Sequence, residues 1–108
     1  MEKDCTFCQI VRREKPAAIE YQNESVIVFK DIHPHAPIHL LVVPKKHIRS
    51  LNDLVDQDKD LLSEMILTAR MIAQRKEIAD LGYRLLFNVE HGGGQLIFHL
   101  HMHLLGGW

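Results

Sequence analysis

The chain has 108 residues, of which 46% are hydrophobic, and a formal net charge of -1 with histidine neutral. That length predicts one domain, residues 1–108, with a small core. The balanced charge argues against a nonspecific binder of nucleic acid or acidic lipid. No apolar run is long enough for a signal peptide or a membrane span, so a soluble, cytoplasmic protein is expected.

Residues 5–14, CTFCQIVRRE, read as a short helix with Phe7, Ile10 and Val11 inward, ended by Pro16. The next stretch, AIEYQNESVIVFKD, reads as a hairpin with strands near 18–22 and 25–30, turning through Gln22, Asn23 and Glu24. Two prolines make residues 33–37, HPHAP, a loop. Residues 38–44, IHLLVVP, are apolar enough for a central strand. From Asp53 to Asp80 the period changes. Leu54, Leu61, Leu62, Met65, Ile66, Ala69, Ile72 and Ala73 recur at three- and four-residue steps, the pattern of a long amphipathic helix closed by Gly82. Residues 83–89 read as a fourth strand, HGGG as a flexible loop, and 98–105 as a fifth strand. The order β-β-β-α-β-β with short links predicts an α+β domain: a mainly antiparallel sheet with its helices on one side.

The fifth strand carries the chemistry. In FHLHMHLL, His99, His101 and His103 alternate with Phe98, Leu100, Met102 and Leu104. On a strand, alternate residues share a face, so the imidazoles would line one side about 6.6 Å apart, with the apolar residues on a core. The plain alternative is a strand with a polar outer face. Gly92, Gly93 and Gly94 precede the row, and consecutive glycines let backbone N–H groups form a concave anion nest. Gln95 could add a donor. An imidazole can attack phosphorus when neutral and protonate a leaving group when charged. H-x-H pairs also chelate metals, with His39 available as a third ligand. On spacing alone, phosphate and metal chemistry stay balanced.

The stretch HLHMHLL, His99 to Leu105, resembles the histidine-triad (HIT) pattern of three histidines separated by apolar residues. The resemblance runs through FCQIVRREKPA, VFKDIHPHAPIHLLVVPKKHI, GGGQ and LLGG in order, and is closest to the Hint nucleoside phosphoramidase branch. It implies a five-stranded antiparallel sheet with one short and one long helix, joined to a second copy in a homodimer. It also implies hydrolysis at the α-phosphorus of a purine nucleoside 5′-phosphoramidate. His101 would be the nucleophile that takes the nucleotide. His103 would bind phosphate and assist the leaving group, His39 would complete the cluster, and His99 would orient the nucleophile. Asn88, Gly94 and Gln95 would hold phosphate oxygens. Asp31 would accept from the ribose hydroxyls, and Phe7, Ile10, Phe29 and Ile32 would line the base pocket, although each apolar residue could equally be plain core. Histidine at 103, where transferase relatives carry glutamine, resembles the hydrolases. One departure stands out: Leu96 occupies a position where animal Hint proteins have serine.

Cys5 and Cys8 form a C-x-x-C pair. The resemblance implies a structural zinc held by Cys5, Cys8, His47 and His99, a closed tetrahedral set. The plain alternative is two reduced cysteines and a surface histidine. His33, His35 and His91 read as solvated loop residues, and Lys45 and Lys46 as surface charges. Two further functions remain open: a dinucleoside polyphosphate hydrolase, and a nucleotide- or zinc-binding regulatory protein with little turnover.

Overall fold

The computed structural model describes residues 4–108. Five strands form one antiparallel sheet in the order β1-β2-β3-β5-β4. They are β1 (Ile19–Gln22), β2 (Val26–Lys30), β3 (Ile38–Pro44), β4 (Tyr83–Leu86) and β5 (Met102–Gly106). The first hairpin turns at Asn23, whose Oδ1 accepts from the N–H groups of Ser25 and Val26. A short polar side chain replaces a backbone turn bond there.

The central strands are buried on both faces, and alternation sorts their side chains into two cores. Val26, Val28, Leu40, Val42, Met102 and Leu104 point to one face and pack under the helix α2 (Lys59–Arg75), against Met65, Ala69 and Ile72. Ile27, Phe29, Leu41 and Val43 point to the other and pack under α1 (Thr6–Val11), against Phe7 and Ile10. The helices therefore lie on opposite faces, not on one side as expected. The reason is in β2 and β3: a strand with apolar residues at every position needs cover on both sides. The histidine face is thus closed by α1, so the picture of a polar face turned to water fails.

Both helices are shorter than their periodicity suggests. α1 stops at Val11, well before Pro16, and α2 at Arg75, well before Gly82. The same device ends each. Arg13 (φ 62) and Glu77 (φ 59) take the left-handed conformation. Glu14 N–H then donates to Gln9 O, and Ile78 N–H to Ala73 O. These are Schellman closures built without glycine. At its start, α2 is preceded by two 3-10 turns, Leu51–Asp53 and Asp56–Asp58, in place of helix from 53. Asp58 accepts from Val55 N–H and from Lys46, which fixes the break.

β5 is also shorter than expected. It pairs only from Met102, so His99 and His101 lie outside the ladder, after a bend at residues 97–99. β4 stops at Leu86. The expected flexible loop is a 3-10 turn, His91–Gly93, followed by Gly94 in the left-handed region at φ 88. That conformation suits glycine because no Cβ meets the backbone.

Candidate active site and candidate metal centre

The histidine row divides into two groups. His103 meets His39 and Asp31, and His101 lies beside His103. His99 turns instead to His47, Cys5 and Cys8.

β3 and β5 build the first group. Leu41 pairs with His103 and His39 with Leu105, which makes His39 and His103 diagonal neighbours on the α1 face. His39 Nε2 lies 2.8 Å from His103 Nδ1 and 3.3 Å from Asp31 Oδ2. Asp31 follows β2 directly, and its Oδ1 accepts from His33 N–H at 2.8 Å. The ring of His101 stands 5.1 Å from that of His103, centre to centre, and meets Phe7 edge-on at 5.2 Å.

Hydrogen-bond direction fixes each tautomer, because a carbonyl oxygen only accepts and a backbone N–H only donates. His101 Nδ1 is 2.7 Å from the carbonyl of His99, so Nδ1 carries the proton and Nε2 keeps its lone pair. His35 N–H donates to His39 Nδ1 at 3.0 Å, so the proton of neutral His39 sits on Nε2, facing His103. His103 Nδ1 accepts it, which leaves the His103 proton on Nε2. Among the described residues, that Nε2 is the buried side-chain polar atom without a hydrogen-bond partner. An unmet buried donor is costly unless a ligand takes it. A nucleophilic nitrogen and an unclaimed donor thus sit on adjacent rings.

Burial keeps these rings neutral. His103 is pushed down to about 4, first by desolvation and then by His101 and His39. Desolvation also lowers His39 and His101, with Asp31 pulling each partly back. The same protonation pattern tells against a metal on Asp31, His39 and His103: His39 Nδ1 already accepts a backbone proton, so its Nε2 has no lone pair to give.

His99 belongs to the second group. Its Nε2 donates to Pro44 O at 2.7 Å, which leaves Nδ1 bare. That atom lies 3.2 Å from His47 Nδ1, 3.3 Å from Cys5 Sγ and 3.5 Å from Cys8 Sγ. Cys8 Sγ is 3.3 Å from His47 Nδ1. Four donors held about 2.0–2.3 Å from one ion at tetrahedral angles stand about 3.3–3.8 Å apart, so the set fits zinc. Cys5 caps α1, with Cys8 N–H donating to its sulfur at 3.3 Å. An ion would tie α1 to the end of β3 and to the histidine segment. Burial lowers His99 to about 4, which suits a neutral ligand ring. The side chain of His99 thus faces this centre, while its carbonyl orients His101.

Other expected site residues lie differently. Gln95 is 3% exposed and its amide is fully used. Its Oε1 accepts from Glu90 N–H, and its Nε2 donates to Arg49 O and Ile97 O. With both donor protons engaged, it braces the loop. In the glycine loop, the N–H groups of Gly93, Gly94 and Gln95 donate to Glu90 O, His91 O and Glu90 O. Gly94 shapes the turn. Asn88 Nδ2 donates to Gly93 O at 2.9 Å and keeps a second proton. Phe7, Ile10 and Phe29 are core residues buried beside the cluster, whereas Ile32 is 84% exposed. His33, His35 and His91 are exposed, yet His35 serves through its backbone. Lys46 pairs with Asp58. The sequence reading missed Arg49, Ser50 and Glu90. Arg49 and Ser50 both bond the Glu90 carboxylate, at 2.6 and 2.5 Å, across some forty positions that carry no local pattern.

The chain matches a family model described as scavenger mRNA decapping enzyme C-term binding over residues 4–107. A relative from Escherichia coli strain K12, named purine nucleoside phosphoramidase, is 44% identical over 107 residues, 99% of this chain and 90% of its own. A HIT family hydrolase from Legionella pneumophila Philadelphia 1 superposes with a TM-score of 0.96 at 46% identity, covering 97% of this chain and 94% of the other. A histidine triad protein from Clostridium difficile gives 0.97 at 40% identity, covering 100% and 94%.

Proposed function

Because the chain belongs to the histidine-triad (HIT) hydrolase family, we propose that it hydrolyses purine nucleoside 5′-phosphoramidates at the α-phosphorus, with His101 as nucleophile. The observation that carries this is the bare Nε2 of His101 beside the partnerless Nε2–H of His103. In the first step, His101 Nε2 attacks phosphorus and the P–N bond to the amine breaks. The amine nitrogen keeps the electron pair, takes the Nε2 proton of a His103 ring that the bound anionic substrate holds in its protonated form, and departs, leaving His103 neutral. In the second step, water gives its proton to His103 Nε2 and attacks phosphorus, and the P–His101 bond breaks to release the nucleoside monophosphate. Asp31 binds the ribose hydroxyls through its carboxylate, and Ile32 offers the base an exposed apolar face. Asn88 reaches phosphate with its second amide proton.

A structural zinc on Cys5, Cys8, His47 and His99 is part of the same reading. When bound, it cross-links the ends of three segments and has no open position for chemistry. The working form is a homodimer. Its support is the free edge of β4, with Leu85 exposed, and the exposed Ile66 and Leu67 on α2. Among the described residues, no helix is long and apolar enough to cross a membrane. The cytoplasm fits two cysteines that form no disulfide.

The test is a quenched reaction with adenosine 5′-phosphoramidate, parent against His101→Ala, followed by intact mass and free AMP. AMP from the parent alone, with a transient adenylyl adduct, is the expected result. Equal release by both removes His101 as nucleophile. Release by neither, with AMP still bound, favours a nucleotide-binding protein. Faster cleavage of a dinucleoside polyphosphate would reassign the substrate.

A further inference from the structure

Residues 97–101 carry the carbonyl that orients the nucleophile, yet no strand ladder holds them. Two backbone-directed bonds do part of that work: Leu100 N–H donates to Ile48 O at 2.6 Å, and Gln95 Nε2 to Ile97 O at 3.0 Å. Gln95 is itself held by the N–H of Glu90, at 2.9 Å. Glu90 sits at φ 62, ψ 176. Only glycine occupies that region freely, and other residues persist there when their surroundings force them.

We propose that Glu90 is a positioning residue for His101, its clamped carboxylate holding a glycine-type backbone from which Gln95 tethers the segment 97–101. This rests on the function proposed above and deepens it.

Arg49 Nη1 donates to both carboxylate oxygens at 2.6 Å, and Ser50 Oγ donates to Oε2 at 2.5 Å. Ser50 is fully buried and also accepts from Asn52 N–H. The Glu90 carbonyl takes the N–H groups of Gly93 and Gln95, each at 3.1 Å. The side chain thus pins the backbone at a shape it would otherwise leave, and that shape aims its N–H at Gln95. Released, Glu90 would relax toward negative φ and its N–H would turn away. Gln95 would lose one anchor, and the carbonyl of His99 its fixed place. Arg49 and Ser50 directly follow the His47 segment, so the clamp ties the nucleophile's segment to the region beside the candidate metal centre.

Glycine makes the test. Glu90→Ala removes the clamp and keeps the Cβ. Glu90→Gly removes the clamp and makes it unnecessary. Misplacing a nucleophile costs rate more than binding, so Glu90→Ala should lose about ten- to a hundredfold in kcat with KM within about threefold of the parent. Glu90→Gly should recover most of that loss. Ring-nitrogen NMR of His101 should show the Nδ1–H tautomer in parent and Glu90→Gly, and a mixture in Glu90→Ala. If Glu90→Ala fails to fold, Arg49→Gln is slower than the parent for the same reason, and adding Glu90→Gly to it restores the rate. A Glu90→Ala protein with parental kcat overturns the proposal. So does a Glu90→Gly protein as slow as Glu90→Ala at equal Tm, which would mean that the carboxylate acts some other way. Should the parent hydrolyse no phosphoramidate, the proposed function fails by itself. The ring spectra then still decide: a tautomer unchanged in Glu90→Ala overturns the positioning role.

Discussion

His99 and His101 are two residues apart, both meet Phe7 edge-on and both are buried, yet they are set up for different work. His99 spends its Nε2 proton on Pro44 O and turns a bare Nδ1 toward two sulfurs. His101 spends its Nδ1 proton on His99 O and keeps Nε2 bare. What separates a candidate metal ligand from a candidate nucleophile is which nitrogen a backbone carbonyl has claimed. The residue type supplies the chemistry, and the neighbouring main chain chooses between its two nitrogens.

The sharpest way to break this contrast is to remove each ring. His101→Ala should lower turnover at least about a thousandfold while Tm stays near the parent's. His99→Ala should do the reverse: zinc content by elemental analysis falls and Tm drops by about 10 °C, while whatever protein stays folded still forms the adenylyl adduct. If the two variants behave alike, the row is one site and the division is wrong.

His103→Gln gives the next largest effect. Glutamine keeps a donor for phosphate but neither gives a proton to the departing amine nor takes one from water. Adduct formation from a phosphoramidate and hydrolysis of the adduct should both slow by about a hundredfold, each read by mass in a single-turnover reaction. Adduct formation at the parental rate would deny His103 its part in the first step, and adduct hydrolysis at the parental rate its part in the second.

Acid sharpens the comparison from another side. The folded-state value of His103, about 4, lies below its ordinary value of 6.5. The folded protein therefore holds this ring neutral while the unfolded chain protonates it. Its contribution to stability is complete above about pH 6.5 and disappears as pH falls through about 4. Thermal melts from pH 7 to pH 4 should show the parent losing stability faster than His103→Gln. Parallel curves would mean that His103 is not the group responsible.

The smallest effect belongs to Leu96, which is 89% exposed. Leu96→Ser should move stability by less than about 0.5 kcal/mol in a denaturant titration. A larger shift would mean that this side chain packs against something in solution, such as a second copy.

The strands were legible because unbroken apolar runs of strand length, as in VIVFK and IHLLVV, suit strands buried in a sheet. The helix ends were not, because Arg13 and Glu77 take a conformation that sequence reading assigns to glycine. The histidine cluster was visible from its spacing and its resemblance. Its internal division was not, because the deciding partners are the carbonyls of Pro44 and His99 and the N–H of His35; every residue type offers the carbonyl, and every type but proline the N–H. The bracing part of Gln95 was hidden for a related reason: its partners are the backbone groups of Glu90, Arg49 and Ile97, and only its burial among them shows it.

His35 carries a practical lesson for mutagenesis. Its ring is exposed, and the group that sets the tautomer of His39, and through it of His103, is its amide. An alanine scan would pass over position 35 and record it as neutral, since alanine has the same amide. The information is stored in a place along the chain and not in a letter of the alphabet. Only proline erases it, and the loop already has proline on one side at Pro34 and two places on at Pro37. His35→Pro, alone among substitutions there, should abolish turnover in a chain that still folds.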